Sequence, residues 1–232
     1  MRAVIVQARM GSTRLPGKVL KKLAGETVLS HVLRRCKQIP AIAAVCCAVS
    51  ATRDSDPVAE EAERCGAVVF RGSEHDVLNR YYKAALALDA CFIMRVTSDC
   101  PLIDPDICAE VLWTLLRFNA DYACNNRPRR WPLGVDCEAF TIAALARADA
   151  RSSALREHVT PYLRTHPEIL RMSTIGPGVK GRWTLDYPED LAFFEALFEK
   201  IDRDAGFEDV QRVLQAHPEI VAINEGRYEP AA

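Results

Sequence analysis

The chain opens on Ala3-Val4-Ile5-Val6 and runs directly into Gln7-Ala8-Arg9-Met10-Gly11-Ser12-Thr13-Arg14-Leu15-Pro16-Gly17-Lys18. An unbroken apolar run that ends in a glycine-bearing loop reads as a strand buried on both faces, as in a parallel sheet. The loop carries three fixed positive charges (Arg9, Arg14, Lys18) and two glycines (Gly11, Gly17). Glycine lets a backbone approach an anion closely, and backbone N–H groups then share its charge with cationic side chains. The pattern suits a polyphosphate; the competing reading is a solvated basic loop. A dinucleotide fingerprint is excluded because the loop lacks the third glycine of G-x-G-x-x-G. A P-loop is excluded because five residues separate Gly11 from Gly17, and Val19 stands where Ser or Thr would bind magnesium.

Outward from that loop, strand-like and helix-like segments alternate. Strands are expected at Ala3–Ala8, Ala43–Ser50, Ala67–Phe70, Cys91–Thr97 and Ala120–Cys124, with helices at Thr27–Gln38, Pro57–Cys65, Asp76–Leu88 and Pro105–Phe118. Short loops and helical crossovers imply an α/β fold with a mostly parallel sheet and helices on both faces. Asp104 before Pro105 is an N-cap followed by proline at the first helical position. From Asn125 the rhythm changes: Asn126-Arg127-Pro128-Arg129-Arg130-Trp131-Pro132 reads as a mobile flap or subunit contact. An extended segment Gly134–Phe140 follows, then helices at Ile142–Ala150 and Ala154–His166. Strands at Ile169–Ile175 and Arg182–Asp186 and helices at Leu191–Ile201 and Glu208–His217 complete the expectation. Residues 1–232 are read as one domain, with 125–170 as an acceptor-binding and dimerisation insertion.

Composition narrows the function classes. The chain has 232 residues, 49% hydrophobic and 26% charged, with a net charge of -1. That is the profile of a soluble globular protein and gives no electrostatic case for nucleic acid or membrane as a partner. The longest apolar run, Ile39 to Val49, contains Pro40 and is too short to span a bilayer. Arg9 and Arg14 interrupt the only early apolar stretch, so no signal peptide is expected. Nine cysteines with no C-x-x-C read as small core residues of a cytoplasmic protein. The histidines show no metal-site spacing.

The second chemical signal is Arg95-Val96-Thr97-Ser98-Asp99-Cys100-Pro101-Leu102-Ile103-Asp104-Pro105. An apolar strand ends here at an aspartate, and open α/β sheets bind ligands outside the carboxyl ends of their strands. Asp99 is placed to hold a hard cation such as Mg2+, which takes one or two carboxylates and completes its shell with phosphate oxygens and water. A strand-end aspartate also serves simply as a turn or N-cap residue. The loop Arg71-Gly72-Ser73-Glu74-His75-Asp76 precedes a helix, and Arg71 and Ser73 are candidates to approach the base or ribose of a nucleotide. Ser50 and Thr52 close the second strand and are further nucleotide-binding candidates; Arg80 fits an ordinary helix surface.

The string Q-A-R-M-G-S-T-R-L-P-G-K-V-L closely resembles the amino-terminal signature of the cytidylyltransferases that activate acidic sugars. These are the 3-deoxy-manno-octulosonate and acylneuraminate enzymes, and the string is most similar to the branch named after spore coat polysaccharide biosynthesis. The resemblance implies a Rossmann-like three-layer nucleotidyltransferase fold. It implies that Arg9, Gly11, Ser12, Arg14 and Lys18 meet the CTP phosphates, and that Gln7, Ala8, Thr97 and Ser98 lie near the nucleotide. The family's Asp-x-Pro-Leu-Ile matches residues 99 to 103, but Ser98 and Cys100 stand where its members carry Gly and Glu.

Asp186-Tyr187-Pro188-Glu189-Asp190-Leu191 resembles the family's late metal-binding motif, which makes Asp186 the second magnesium ligand beside Asp99. Glu189 and Asp190 are read as first-turn helix acids. Gly134-Val135-Asp136-Cys137-Glu138 and Arg156-Glu157-His158-Val159-Thr160-Pro161-Tyr162 resemble strings of the spore-coat branch. Together with their place after the flap they make Asp136, Glu138, Glu157 and His158 acceptor-binding candidates; His158 equally suits a subunit interface.

The implied reaction transfers CMP from CTP to an acidic sugar of the 3-deoxy-octulosonate or nonulosonate type, with release of pyrophosphate, in a homodimer. Arg9, Lys18, Asp99 and Asp186 are its catalytic candidates. A second reading is a nucleotide-sugar-dependent glycosyltransferase holding metal through D-x-D, for which Asp54-Ser55-Asp56 and Asp104-Pro105-Asp106 qualify. A third is a non-catalytic nucleotide-binding or assembly protein.

Overall fold

A computed structural model describes residues 1–228. Seven strands form one sheet: β1 (Arg2–Gln7), β4 (Ala44–Ser50), β5 (Val68–Gly72), β6 (Phe92–Thr97), β7 (Tyr122–Cys124), β8 (Glu138–Thr141) and β9 (Arg171–Ser173). A two-stranded hairpin, β2 (Lys22–Leu23) with β3 (Glu26–Thr27), follows the basic loop. The sheet order is β5-β4-β1-β6-β8-β7-β9, and every pairing is parallel except the two made by β8. The expected α/β sheet with helices on both faces is therefore observed.

Side-chain alternation along β1 feeds both layers. Val4 and Val6 pack against α1 (Val28–Gln38), α2 (Asp56–Arg64) and α4 (Pro105–Arg117). Ala3 and Ile5 face α3 (Val77–Ala87), α5 (Ile142–Arg151) and α6 (Pro161–Thr165). A third apolar cluster joins Leu15, Leu23 and Trp183 to α7 (Pro188–Phe198), α8 (Phe207–Ala216) and α9 (Pro218–Ala222). Seven of the nine cysteines are buried; Cys65 is half-buried and Cys91 exposed. Among the described residues, no helix is long and apolar enough to cross a membrane.

Two expected elements take another form. Arg182–Asp186 is not a strand: Arg182 makes one isolated bridge to Leu133, and the segment's apolar residues are buried against the third cluster instead of a sheet neighbour. The stretch expected as a helix from Ala154 to His166 contains only a short 3-10 turn at Arg156–His158 and then α6. Leu155 and Val159 have φ of 56° and 65°, a left-handed conformation that no α-helix accommodates.

After β1 the chain builds β4 and β5 on one side, then crosses to β6 on the other. The reversal lies between the carboxyl ends of β1 and β6. Such a switch point opens a crevice, and ligands of open α/β sheets bind there. The basic loop leaves the end of β1 and Asp99 lies just past β6, so topology delivers both to that crevice.

Candidate active site

Lys18, Asp99 and Asp186 meet at the crevice. Lys18 Nζ donates to Asp99 Oδ2 at 2.7 Å and to Asp186 Oδ1 at 2.9 Å. Burial disfavours the Lys18 ammonium, but the two carboxylates outweigh it and raise its pKa above the ordinary lysine value. Burial pushes the Asp186 carboxyl up, yet Lys18, Arg14 and Arg182 together hold it below the ordinary carboxylate range. Both carboxylates thus already share one cation position, a donor set that suits a hard divalent ion.

The segment carrying Asp186 is fastened to the segment carrying Asp99. Leu185 N donates to Asp99 O at 2.9 Å, and Thr184 Oγ1 to the same oxygen at 3.3 Å. Asp190, read from the sequence only as a first-turn acid, is fully buried and organises the turn. It accepts from the backbone N–H of Asp186 at 2.8 Å and of Tyr187 at 2.9 Å, and pairs with Arg182 at 2.8 Å. Glu189 pairs instead with Arg227 near the surface. Arg14 reaches Asp186 at 2.9 Å and lies over the Tyr187 ring.

The other nucleotide candidates spread along the rim. Arg9 and Gly11 are exposed, and Ser12 Oγ accepts from Leu15 N at 3.3 Å, closing the basic loop on itself. Gln7 Oε1 accepts from Arg95 at 3.2 Å, Ala8 is buried, and Ser98 N donates to Gln7 O. Thr97 hydrogen-bonds Cys100 at 3.2 Å. Ser50 is buried and bonded to Thr52. Arg71 pairs with Asp56 at 2.8 Å, and Ser73 Oγ accepts from Asp76 N. Arg80, expected on a helix surface, is buried and donates to Ser73 O, so it supports that loop from beneath.

A cavity of about 510 Å³ opens beside the Lys18 cluster, with Thr97, Asp99, Asp136, Glu138 and Asp186 in its wall. Neither Asp136 nor Glu138, both expected at the acceptor, is free. Asp136 is held bidentately by Arg129 at 2.8 and 3.1 Å. Burial raises its pKa and the guanidinium offsets only part of that. Glu138 is a buried member of that wall, bonded to Arg95 at 2.6 Å, Arg164 at 2.7 Å and the Tyr122 hydroxyl. Burial pushes its carboxyl up, but the two guanidiniums prevail and hold it below the ordinary value. Glu138 therefore orients Arg95 and Arg164. Glu157 and His158 pair with one another at 3.3 Å on the exposed 3-10 turn and do not line that cavity. Ser50, Thr52, Arg71 and Ser73 do not line that cavity either.

The arginines Arg95, Arg129, Arg164 and Arg182 went unassigned in the sequence. One signal was present for Arg95: a charged residue inside the apolar run Phe92–Thr97. For the others, the partner lies too far along the chain or across a loop. Both D-x-D strings have structural explanations: Asp104 caps α4, and Asp56 pairs with Arg71.

A family model described as cytidylyltransferase matches residues 3–211. An uncharacterised protein of Methanocaldococcus jannaschii is 32% identical, over 95% of this chain and 93% of its own. The spore coat polysaccharide biosynthesis protein SpsF of Bacillus subtilis is 30% identical, over 95% and 97%. A solved cytidylyltransferase from Leptospira borgpetersenii superposes with a TM-score of 0.90 at 29% identity, covering 95% of this chain and 96% of that one. A CMP:2-keto-3-deoxy-manno-octonic acid synthetase solved with CTP shares the fold, with a TM-score of 0.66 at 18% identity over 86% and 98%. A basic, glycine-bearing loop and two carboxylates meet at the switch point of this sheet, and with a family match over residues 3–211 they lead to one conclusion: the chain belongs to the cytidylyltransferase family.

Proposed function

We propose that the protein transfers CMP from CTP to an acidic sugar, of the 3-deoxy-octulosonate or nonulosonate type, and releases pyrophosphate. The observation that carries this reading is the convergence of Lys18, Asp99 and Asp186, from three distant parts of the chain, on one cation position beside a cavity rich in arginine. Similarity to SpsF and to 3-deoxy-manno-octulosonate cytidylyltransferases supports the sugar acceptor.

In this reading the acceptor hydroxyl attacks the α-phosphorus in line. The new O–P bond forms as the bond from the α-phosphorus to the α,β-bridging oxygen breaks; pyrophosphate leaves with that oxygen, and the hydroxyl proton passes to water. Such chemistry depends mainly on positioning and electrostatics. Arg9, Ser12, Arg14 and Lys18 line the path of the phosphates, and the cationic members neutralise charge on the departing pyrophosphate. Asp99 and Asp186 are the residues to hold Mg2+, which when bound supplies further neutralisation of the phosphate oxygens. Gln7, Ala8, Thr97 and Ser98 lie at the strand ends where the nucleoside would sit, with Ser50, Thr52, Arg71 and Ser73 further along the rim. Asp136 and Glu138 shape the acceptor cavity through the arginines that they hold. The 125–170 region would then combine acceptor contacts with dimerisation, which light scattering on the purified protein tests.

The test of the reaction is pyrophosphate release with Mg2+, crossing four nucleoside triphosphates against a panel of 3-deoxy sugar acids and uncharged sugars. Release with CTP and one acid is expected. Release with CTP and only uncharged acceptors would overturn the acceptor class.

A further inference from the structure

The loop that carries Arg14 is closed by backbone turns, from Ser12 N to Met10 O and from Lys18 N to Leu15 O, which leave the Arg14 side chain 52% exposed. An arginine in such a place spreads over many rotamers, and ordering it costs entropy. Here the side chain is held from a segment 173 residues further along. Its guanidinium pairs with Asp186 at 2.9 Å and lies over the Tyr187 ring, 4.8 Å from the centroid. Its Nη1 points to the Tyr187 hydroxyl at 3.4 Å, too long to bind that donor firmly. The ring is itself fixed. The Tyr187 backbone N–H donates to buried Asp190 at 2.9 Å. Arg227 lies over the ring at 4.5 Å and pairs with Glu189 at 2.8 Å, and Arg182 lies over the ring at 5.3 Å. Arg227 belongs to a short 3-10 turn, Glu225–Arg227, that follows Asn224. The Asn224 amide anchors the turn by donating to Asp190 and to the Arg182 carbonyl, both at 3.0 Å. These C-terminal residues lie beyond the stretch 3–211 that matches the family model.

The two contacts of Arg14 differ in kind. Asp186 takes the guanidinium through its N–H donors, which are the donors a phosphate needs, so the two anions compete for them. An aromatic ring attracts the flat face of the guanidinium and leaves the in-plane N–H fork free for phosphate oxygens. The ring is also neutral, so it does not compete for a cation that Asp186 would hold. We propose that Tyr187 is a positioning residue for the CTP phosphates. Its ring keeps Arg14 beside the site when the guanidinium exchanges Asp186 for the β- and γ-phosphates, and Arg227 steadies the ring from the C-terminal turn. The inference rests on the reading of Arg14 as a phosphate ligand, and goes beyond it in naming what orders that side chain and in drawing the C-terminal turn into the nucleotide site.

The test is calorimetry with CTP, pyrophosphate and CMP, each with Mg2+, on wild type, Tyr187→Leu, Tyr187→Phe, Arg14→Ala and the Arg14→Ala/Tyr187→Leu double variant. Tyr187→Leu keeps most of the bulk and removes the ring, and Tyr187→Phe keeps the ring and removes the hydroxyl. Tyr187→Leu is expected to bind CTP and pyrophosphate about 3- to 10-fold more weakly, the size of one lost cation–π contact. Its CMP affinity is expected to stay at the wild-type value, because CMP lacks the β- and γ-phosphates, and this also shows that the variant folds. Tyr187→Phe is expected to match wild type, and the double variant to bind CTP no more weakly than Arg14→Ala alone. Arg227→Ala, at an exposed position, is expected to show the pattern of Tyr187→Leu at smaller size, and supplies the test should Tyr187→Leu not fold. Equal loss of CMP and CTP affinity would overturn the proposal, because Tyr187 would then only hold the fold. So would losses that add in the double variant, because the ring would then act apart from Arg14. Wild-type CTP affinity in Tyr187→Leu, with weak binding in Arg14→Ala, would sink the role of Tyr187 and spare that of Arg14. Wild-type CTP affinity in Arg14→Ala would refute the phosphate reading of Arg14 itself.

Discussion

Lys18 Nζ stands 2.7 Å from Asp99 Oδ2, and the same nitrogen reaches Asp186. An ammonium therefore occupies the position at which two carboxylates converge. Lys18 and Arg14 balance Asp99 and Asp186, while Arg182 is matched by Asp190. A divalent cation entering this balanced cluster alone would add uncompensated charge, whereas a triphosphate arriving with it would draw Lys18 and Arg14 away. Without CTP, Mn2+ is expected to bind the wild type weakly, and Lys18→Met to bind it at least about 10-fold more tightly, the cost of one competing partly buried charge. Electron paramagnetic resonance titration measures this without turnover. Equal Mn2+ affinity in the two proteins would refute the exchange.

Asp99→Asn keeps the shape of the side chain and removes its charge. The fold is expected to survive, because the backbone of Asp99, not its carboxylate, holds Leu185 and Thr184. Turnover is expected to fall on the order of 100-fold or more, as when a preorganised electrostatic group is lost. Steady-state pyrophosphate release decides it, and near-wild-type rates would dismiss Asp99 as a catalytic group.

Glu138→Gln leaves two guanidiniums without their buried counter-ion. Breaking one partner of such a cluster costs about 3–5 kcal/mol. The pH dependence has a definite sign. The folded-state pKa of Glu138 lies below its ordinary value of 4.5. Its contribution is complete above that value and is lost as pH falls through the folded pKa. Urea melts are expected to separate the two proteins most at neutral pH and progressively less below about pH 4.5. A gap that widens on acidification would contradict the ion-pair account.

Gly134 has φ of 112°, where side chains are strained, and a Cβ there would lie 2.1 Å from Trp183 O. Gly134 also lines the cavity beside Lys18. Gly134→Ala must push apart the flap and the segment leading to Asp186. A loss of about 3 kcal/mol or more is expected, or a Tm lower by roughly 6–12 °C for a chain of this size. Differential scanning calorimetry tests it, and an unchanged Tm would mean that the two segments are not rigidly packed.

The strands β1, β4, β5 and β6 and their crossover helices were legible because buried apolar runs and helix caps are local signals. The extended Arg182–Asp186 segment was misread as a strand because apolar residues at alternate positions mark burial, not the presence of a hydrogen-bonding neighbour. The broken helix before α6 was misread because a left-handed residue such as Val159 leaves no mark in the pattern of polarity. In the site, Lys18, Asp99 and Asp186 were identifiable from their motifs, each a short stretch of chain. The arginine partners were not. Glu138 and Arg164 meet across 26 residues, Arg129 and Asp136 across a flap. By itself the sequence determined the strands of the sheet, the basic loop after β1 and the short motifs that carry Asp99 and Asp186, because these depend on neighbours along the chain. Only the tertiary structure decided which acids are already spent on arginines, because charge balance is a property of groups brought together in space.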